Sequence, residues 1–167
     1  MERLLKVTAA REFDLGWPVL ACAVGRPDDE SRSRLRRLYL ESGPAAELWV
    51  YGEPQRPPSA VIGIRLGDPA EITHIAVREG SRRQGLGRRL FAHMQAGHPD
   101  ATCWMAETDD DAVGFYRALG FQAEVLPPRY AGVRRYRCTW TSGGGVSRDP
   151  EMLDPGNACG SSGEEAD

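Results

Sequence analysis

A chain of 167 residues with 41% hydrophobic content has the length and apolar mass for one domain around a single core. Its formal charge of −3 argues against a nucleic-acid or membrane-surface binder, and no apolar run reaches the ~18 residues of a membrane span. Cys22, Cys103, Cys138 and Cys159 form neither a CxxC pair nor a zinc-ligand spacing, a pattern that predicts reduced thiols, no metal, and a soluble cytoplasmic protein.

The N-terminal segment carries an apolar patch from Trp17 to Val24, which Pro18 interrupts and which lacks the order of a signal peptide. Leu35, Leu38 and Tyr39 then recur at helical spacing, with Asp28 or Asp29 as a cap and Gly43 as a stop. Strands are predicted over 47–53, 59–66 and 71–77, separated by the turn-rich "PQRPP" and "GDPA", which reads as an antiparallel meander. A helix from about Gln84 places Leu86, Leu90, Phe91 and Met94 on one face and ends at 97–100. A strand over 101–107 follows. The next helix runs from Asp109 to Leu119, with Ala112, Phe115 and Leu119 on one side and Gly120 closing it. Strands over 121–126 and 133–140 come last, the second setting Tyr136, Cys138 and Trp140 against Arg135, Arg137 and Thr139. Residues 142–167 are Gly-, Ser-, Pro- and acid-rich and predict a flexible tail behind a domain of residues 1–141. The fold class is α/β, a mixed sheet that is antiparallel at its start with one strand–helix–strand crossover in the middle.

The segment "REGSRRQGLGRRL" joins a strand to that crossover helix, so free backbone N–H groups and the positive end of a helix dipole converge on one spot. Such a spot attracts an anion. Gly85 and Gly87 are expected to let a phosphate approach the backbone, while Arg78, Arg82, Arg83, Arg88 and Arg89 add positive charge. A diphosphate fits better than a lone carboxylate. A nucleotide-hydrolysing loop would need Lys-Ser or Lys-Thr where Arg88 and Arg89 stand, and a dinucleotide fingerprint would need a third glycine where Leu90 stands.

The spacing of Arg82, Gly85 and Gly87 between a strand and a helix resembles the acyl-CoA pyrophosphate loop of the GNAT superfamily of N-acyltransferases. The later segment "DDDAVGFYRALGF", with Ala112, Tyr116, Gly120 and Phe121, and the "IAV" ending the preceding strand match the same family in the right order, over residues 59–140. The resemblance implies a GNAT-like fold in which the strands "EITHIAV" and "ATCWMAE" splay apart and hold the pantetheine arm of acetyl-CoA between them. Ile75, Ala76 and Val77 would meet the cofactor through their main chains, Ile75 N–H polarising the thioester carbonyl and Val77 pairing with pantetheine amides. Arg82, Arg83, Gln84, Gly85, Leu86, Gly87 and Arg88 would hold the diphosphate. Tyr116 would contact the cofactor sulfur and donate a hydrogen bond to the leaving thiolate. Asp109 stands where many relatives have an asparagine that contacts the cofactor, and an ionised carboxylate cannot donate there.

The resemblance also implies direct transfer of an acetyl group to a primary amine of a small molecule or peptide, with no metal. A catalytically silent acyl-CoA-binding domain is the alternative. Glu71, Glu107 and His74 are the candidate bases, Glu71 four residues before Ile75 and placed by strand alternation on the same side. A glutamate near 4.3 facing an ammonium near 10.4 leaves a gap of about six units, roughly 8 kcal/mol. Asp109, Asp110 and Asp111 either start a helix or form with Glu107 a negative rim that recruits a cationic amine. His93 and His98 are expected to face solvent, and Cys103 and Cys138 to be core thiols. The sequence has no signature of oligomeric state or of the acceptor.

Overall fold

The computed structural model describes residues 1–129 and 132–143; nearly all of the expected tail, with Cys159, lies outside them. A seven-stranded sheet in the order β1-β2-β3-β4-β5-β7-β6 organises the chain. Its strands are β1 Arg3–Lys6, β2 Ala46–Gly52, β3 Ala60–Arg65, β4 Ala70–Val77, β5 Cys103–Asp109, β6 Gln122–Val125 and β7 Arg135–Thr141. The helices are α1 Ala10–Leu20, α2 Asp29–Glu41, α3 Leu86–Gly97 and α4 Val113–Ala118. β1 to β4 form an antiparallel run, the β4-α3-β5 crossover supplies the parallel pair, and β7 inserts between β5 and β6. Fold class and crossover are as expected from the sequence.

Two apolar layers cover the sheet. On one face Leu86, Leu90, Phe91 and Met94 of α3 and Val113 and Tyr116 of α4 pack on Ile62, Ile64, Ile72, Trp104, Ala106 and Cys138. On the other, Phe13, Val19 and Leu20 of α1 and Leu35 and Tyr39 of α2 pack on Leu48 and Val61. α2 starts at Asp28, whose Oδ1 accepts from Ser31 N–H at 2.8 Å while Asp28 N–H donates to Ser31 Oγ at 3.0 Å, a reciprocal cap.

Several expectations are corrected. Pro18 does not break the apolar patch: it sits inside α1, whose buried stripe is Phe13, Gly16, Val19 and Leu20. The missing proline N–H falls near the helix end, which tightens into a 3₁₀ turn at Ala21–Ala23. α4 begins at Val113 rather than Asp109. Asp109 instead ends β5 opposite Arg135, and its Oδ1 accepts from the N–H groups of Asp111 and Ala112 at 3.1 and 3.3 Å, so the acidic run builds a turn ahead of the helix. The buried pair on α4 is Val113 and Tyr116, with Phe115 and Leu119 at its margin. His98 does not face solvent: its Nε2 lies 3.1 Å from the buried Glu47, and the His93 ring stacks edge-on against Trp49 at 5.0 Å. Cys138 is a core thiol, whereas Cys103 is only half-buried, on the opposite face.

Candidate active site

β4 and β5 pair over only two positions, Ala70 with Trp104 and Glu71 with Met105. Beyond them each strand bonds only to its outer neighbour, β3 or β7, so a wedge opens in the middle of the sheet. The Arg78 N–H donates to Ser59 O at 2.8 Å, which makes that pair hydrogen-bonded. Antiparallel alternation then leaves Ala60–Val77 and Ile62–Ile75 as non-hydrogen-bonded pairs. The N–H and C=O groups of Ile75 and Val77 therefore point away from β3, into the wedge. Ala76 turns its main chain toward β3.

The loop after β4 continues this line of open main chain. Ser81 N–H donates to Arg78 O at 2.8 Å, Arg82 N–H to Glu79 O at 3.3 Å, and Arg89 N–H to Gly85 O at 3.0 Å. The amides between them, from Arg83 through Gln84, Gly85, Leu86 and Gly87 to Arg88, bond to no carbonyl among the described residues. Arg83 and Gly85 both take left-handed backbone, φ 63° and 72°, which curls consecutive N–H groups toward one concavity at the start of α3. Among loop side chains, Arg82 Nε donates to Val77 O at 3.3 Å, Arg88 Nη2 to Ala118 O at 2.9 Å, and Arg89 Nη1 to the Tyr51 hydroxyl at 3.0 Å. Arg88 thus closes the end of α4, which leaves its amide rather than its side chain for an anion. The two glycines also differ from expectation. Gly85 supplies the positive φ, but a Cβ on Gly87 would come within 2.7 Å of the Phe115 ring, so Gly87 exists for contact between α3 and α4.

The wedge has one filled face and one open one. Ile72, Ile75, Trp104 and Ala106 face the α3/α4 core. Glu71 does not share Ile75's side: the β3–β4 register slips between Gly63 and Ile64, pairing Gly63 with His74 but Ile64 with Ile72. Thr73 is the extra residue of a bulge that resets the alternation. Glu71 consequently joins His74, Met105 and Glu107 on the other face. Continuing the β4–β5 register past its last pair sets Glu107 across the wedge from the Thr73–His74 bulge. Each carboxylate has arginine company: Glu71 lies 3.3 Å from Arg65, and Glu107 lies 3.3 Å from Arg137 and 4.0 Å from Arg135.

Tyr39 clamps the bulge from α2. Its hydroxyl lies 2.7 Å from both Thr73 Oγ1 and His74 Nδ1, and it fits because position 63 is glycine, where a Cβ would overlap it. Burial, aided by Arg34 and Arg65, pulls the His74 pKa down to about 4, so the imidazole is neutral at pH 7. On the filled face Tyr116 is 4% exposed and packs edge-on against Phe115 and Phe121 at 5.2 and 5.3 Å. Burial, with Cys138 nearby, pushes its phenol above the ordinary tyrosine range.

The sequence reading missed Tyr39, Gly63 and the bulge. A signal existed, because Ile72 and Ile75 are both apolar at a spacing of three within a strand, where strict alternation would put them on opposite faces. Of the acidic run, Asp109 Oδ1 accepts from its turn and the Tyr136 hydroxyl donates to Asp110 Oδ1 at 2.6 Å, while Asp110 and Asp111 stay exposed.

This split parallel pair with its amide-lined loop is the arrangement expected of a GNAT-like fold. Residues 44–123 match the family model described as the acetyltransferase (GNAT) domain. The chain is similar to the peptidyl-lysine N-acetyltransferase YjaB of Salmonella typhimurium, 31% identical over 91 residues, 54% of this chain and 61% of the relative. It thus spans about three-fifths of that curated relative's length. Its backbone superposes on an acetyltransferase of the GNAT family from Desulfovibrio desulfuricans with TM-score 0.71 at 19% identity, covering 84% of this chain and 99% of that one. It is also similar to a GNAT family acetyltransferase from Elizabethkingia anophelis with acetyl-CoA bound, TM-score 0.62 at 18% identity over 84% and 98% of the two chains. The family match over residues 44–123 and these structural likenesses support assignment to the GNAT superfamily.

Proposed function

We propose that the protein is an acetyltransferase that moves an acetyl group from acetyl-CoA directly to a primary amine. The observation that carries this reading is the wedge edged by the outward-facing main chain of Ile75 and Val77, continuous with the unbonded amides of residues 83–88. A pantetheine arm completes the interrupted sheet there, displacing Arg82 from Val77 O. The diphosphate takes the amides of Arg83 to Arg88, with the Arg82 and Arg83 guanidiniums alongside. Micromolar binding needs about −8 kcal/mol against an association cost of roughly 4–15 kcal/mol, so the loop and the wedge are both required.

In this reading the thioester carbonyl rests on Ile75 N–H, which stabilises the oxyanion as the amine attacks. The acceptor comes from the open face, because α3 and α4 fill the other. Glu71, Glu107 and the neutral His74 are the groups there that can take the amine's proton, directly or through water. The C–N bond forms, the C–S bond breaks, and the thiolate leaves toward the filled face. Tyr116, whose phenol stays neutral, donates a hydrogen bond to it. Full proton transfer from a phenol near 10 to a thiolate near 8.5 is uphill by roughly 2 kcal/mol before burial is counted.

No helix among the described residues is long and apolar enough to cross a membrane. Free Cys22, Cys103 and Cys138 fit a reducing, cytoplasmic setting. The test is release of CoA thiol from acetyl-CoA with mixed primary amines, alongside a thermal shift with CoA. Shift and amine-dependent release are expected. Shift without release makes this a silent acyl-CoA-binding domain, and no shift defeats both readings.

A further inference from the structure

Beside Glu107 the open face carries a cavity of about 260 Å³, lined by Glu107, Leu126, Pro127, Arg129, Val133 and Arg135. It is bounded by the end of β5, by residues 126–129 after β6 and by residues 133–135 at the start of β7. It is slightly smaller than the roughly 300–1,000 Å³ of sites for drug-sized ligands, and it is not isolated, since Glu107 lines it and also borders the wedge. α1 rests on β3 and β4 and α2 on β2, so neither helix roofs it.

The charges on its wall are uneven. Glu107 has its closest cationic partner in Arg137, at 3.3 Å, which is not a wall residue. Arg135 lies further from Glu107, at 4.0 Å, and Arg129 has no ion pair within 4.0 Å among the described residues. The carboxylates that could neutralise these two are turned elsewhere. Asp109, opposite Arg135 in the sheet, gives Oδ1 to backbone amides. Asp110 is held by the Tyr136 hydroxyl. Glu124 pairs in register with Arg137 on the far strand, outside the cavity.

We infer that the acceptor is a small amine that also carries a carboxylate, of the amino-acid class. This rests on the acetyltransferase reading and names the substrate that reading leaves open. The amine lies at the Glu107 end, within reach of a thioester in the wedge. The acceptor's carboxylate meets Arg129 and Arg135, each able to give paired hydrogen bonds, and its short carbon chain covers Leu126, Pro127 and Val133. A polyamine, with a second cation where the carboxylate belongs, is disfavoured by the same arginines.

The test compares acceptors that differ only in that charge: β-alanine with β-alaninamide, and alanine with alaninamide, at saturating acetyl-CoA. The amides have the less basic amines and hence more free base at neutral pH, so simple nucleophilicity favours them. The expected result reverses that order, with kcat/KM for the carboxylates higher by roughly tenfold, the equivalent of one modest charge-assisted contact. Arg129→Gln should collapse this ratio, and Arg135→Lys, which keeps charge without the planar fork, should keep part of it. Calorimetry with β-alanine on the CoA-loaded protein gives a readout that does not need turnover, and binding there supports the inference. If amides or putrescine are acetylated as well as or better than the carboxylates, the inference is overturned while the acetyltransferase reading stands. If CoA binds and no amine is acetylated, both fail together.

Discussion

The two faces of the β4–β5 wedge are built from the same two strands and have opposite chemistry. Ile72, Trp104 and Ala106, with the half-buried Ile75, pack under α3 and α4, while Glu71, Met105 and Glu107 lie on the other side with His74, which Tyr39 covers. One inserted residue, Thr73, decides on which side the β4 groups fall. Without the bulge, strict alternation would put Glu71 on the filled face with Ile75, and a carboxylate there would lack water and partners. The difference teaches that the open face is made by a register shift which Tyr39 and Gly63 hold in place from α2 and β3.

The comparison can be broken most severely at Ile75, where the proposed mechanism has the wedge edge act on the reaction. Replacing the Ile75 amide by an ester through semisynthesis removes a single N–H, and kcat is expected to fall about 10²–10³-fold with little change in KM for acetyl-CoA. Ile75→Val, which leaves that N–H alone, should be nearly silent. An ester variant of full activity would move the oxyanion contact elsewhere.

His74 sharpens the contrast through pH. Its pKa is about 4 in the folded protein against 6.5 for an ordinary histidine, so between those values the unfolded chain binds a proton that the native state refuses. Stability from this residue is complete above pH 6.5 and is lost as pH falls toward 4, by up to about 3 kcal/mol. His74→Gln should flatten this acid limb in urea titrations at pH 4.5 and 7. An unchanged limb would place the imidazole in a less buried setting than the structure gives it.

Gly63→Ala tests the clamp. Its Cβ would overlap the Tyr39 hydroxyl and ring, and a loss of about 1–3 kcal/mol is expected, with resonances of Thr73 and His74 shifted. The smallest effects separate the two loop glycines. Gly85→Ala forces alanine into φ 72° at about 1–2 kcal/mol and should raise KM for acetyl-CoA by distorting the concavity. Gly87→Ala should act chiefly on stability, through Phe115, with KM altered less.

Much of this is legible in the amino-acid sequence alone. The β2–β4 meander, α2 with its Asp28 cap, the crossover and the amide-rich loop all announce themselves by periodicity or by turn chemistry. What escaped depends on contacts between distant residues. Glu71 changes sides because Gly63 and Tyr39 accommodate a bulge at Thr73, and no local pattern around Glu71 names those partners. Gly87 reads as a phosphate-loop glycine until Phe115 of α4 is seen against it. Asp109 looks like a helix start because acidic residues favour that place, yet its strand pairing with Arg135 prevails. His98 looks exposed until the buried Glu47, bonded by Lys6 Nζ at 2.7 Å and Trp49 Nε1 at 2.8 Å, is found beside it.

The most direct measurement is an amide-resolved titration of the ¹⁵N-labelled protein with CoA. The wedge account predicts shifts and slowed hydrogen exchange at Ile75, Val77 and Arg83 to Arg88, with β1 and β2 unaffected. Saturable binding that leaves those amides unshifted, or that instead perturbs the β1–β2 edge, would contradict it.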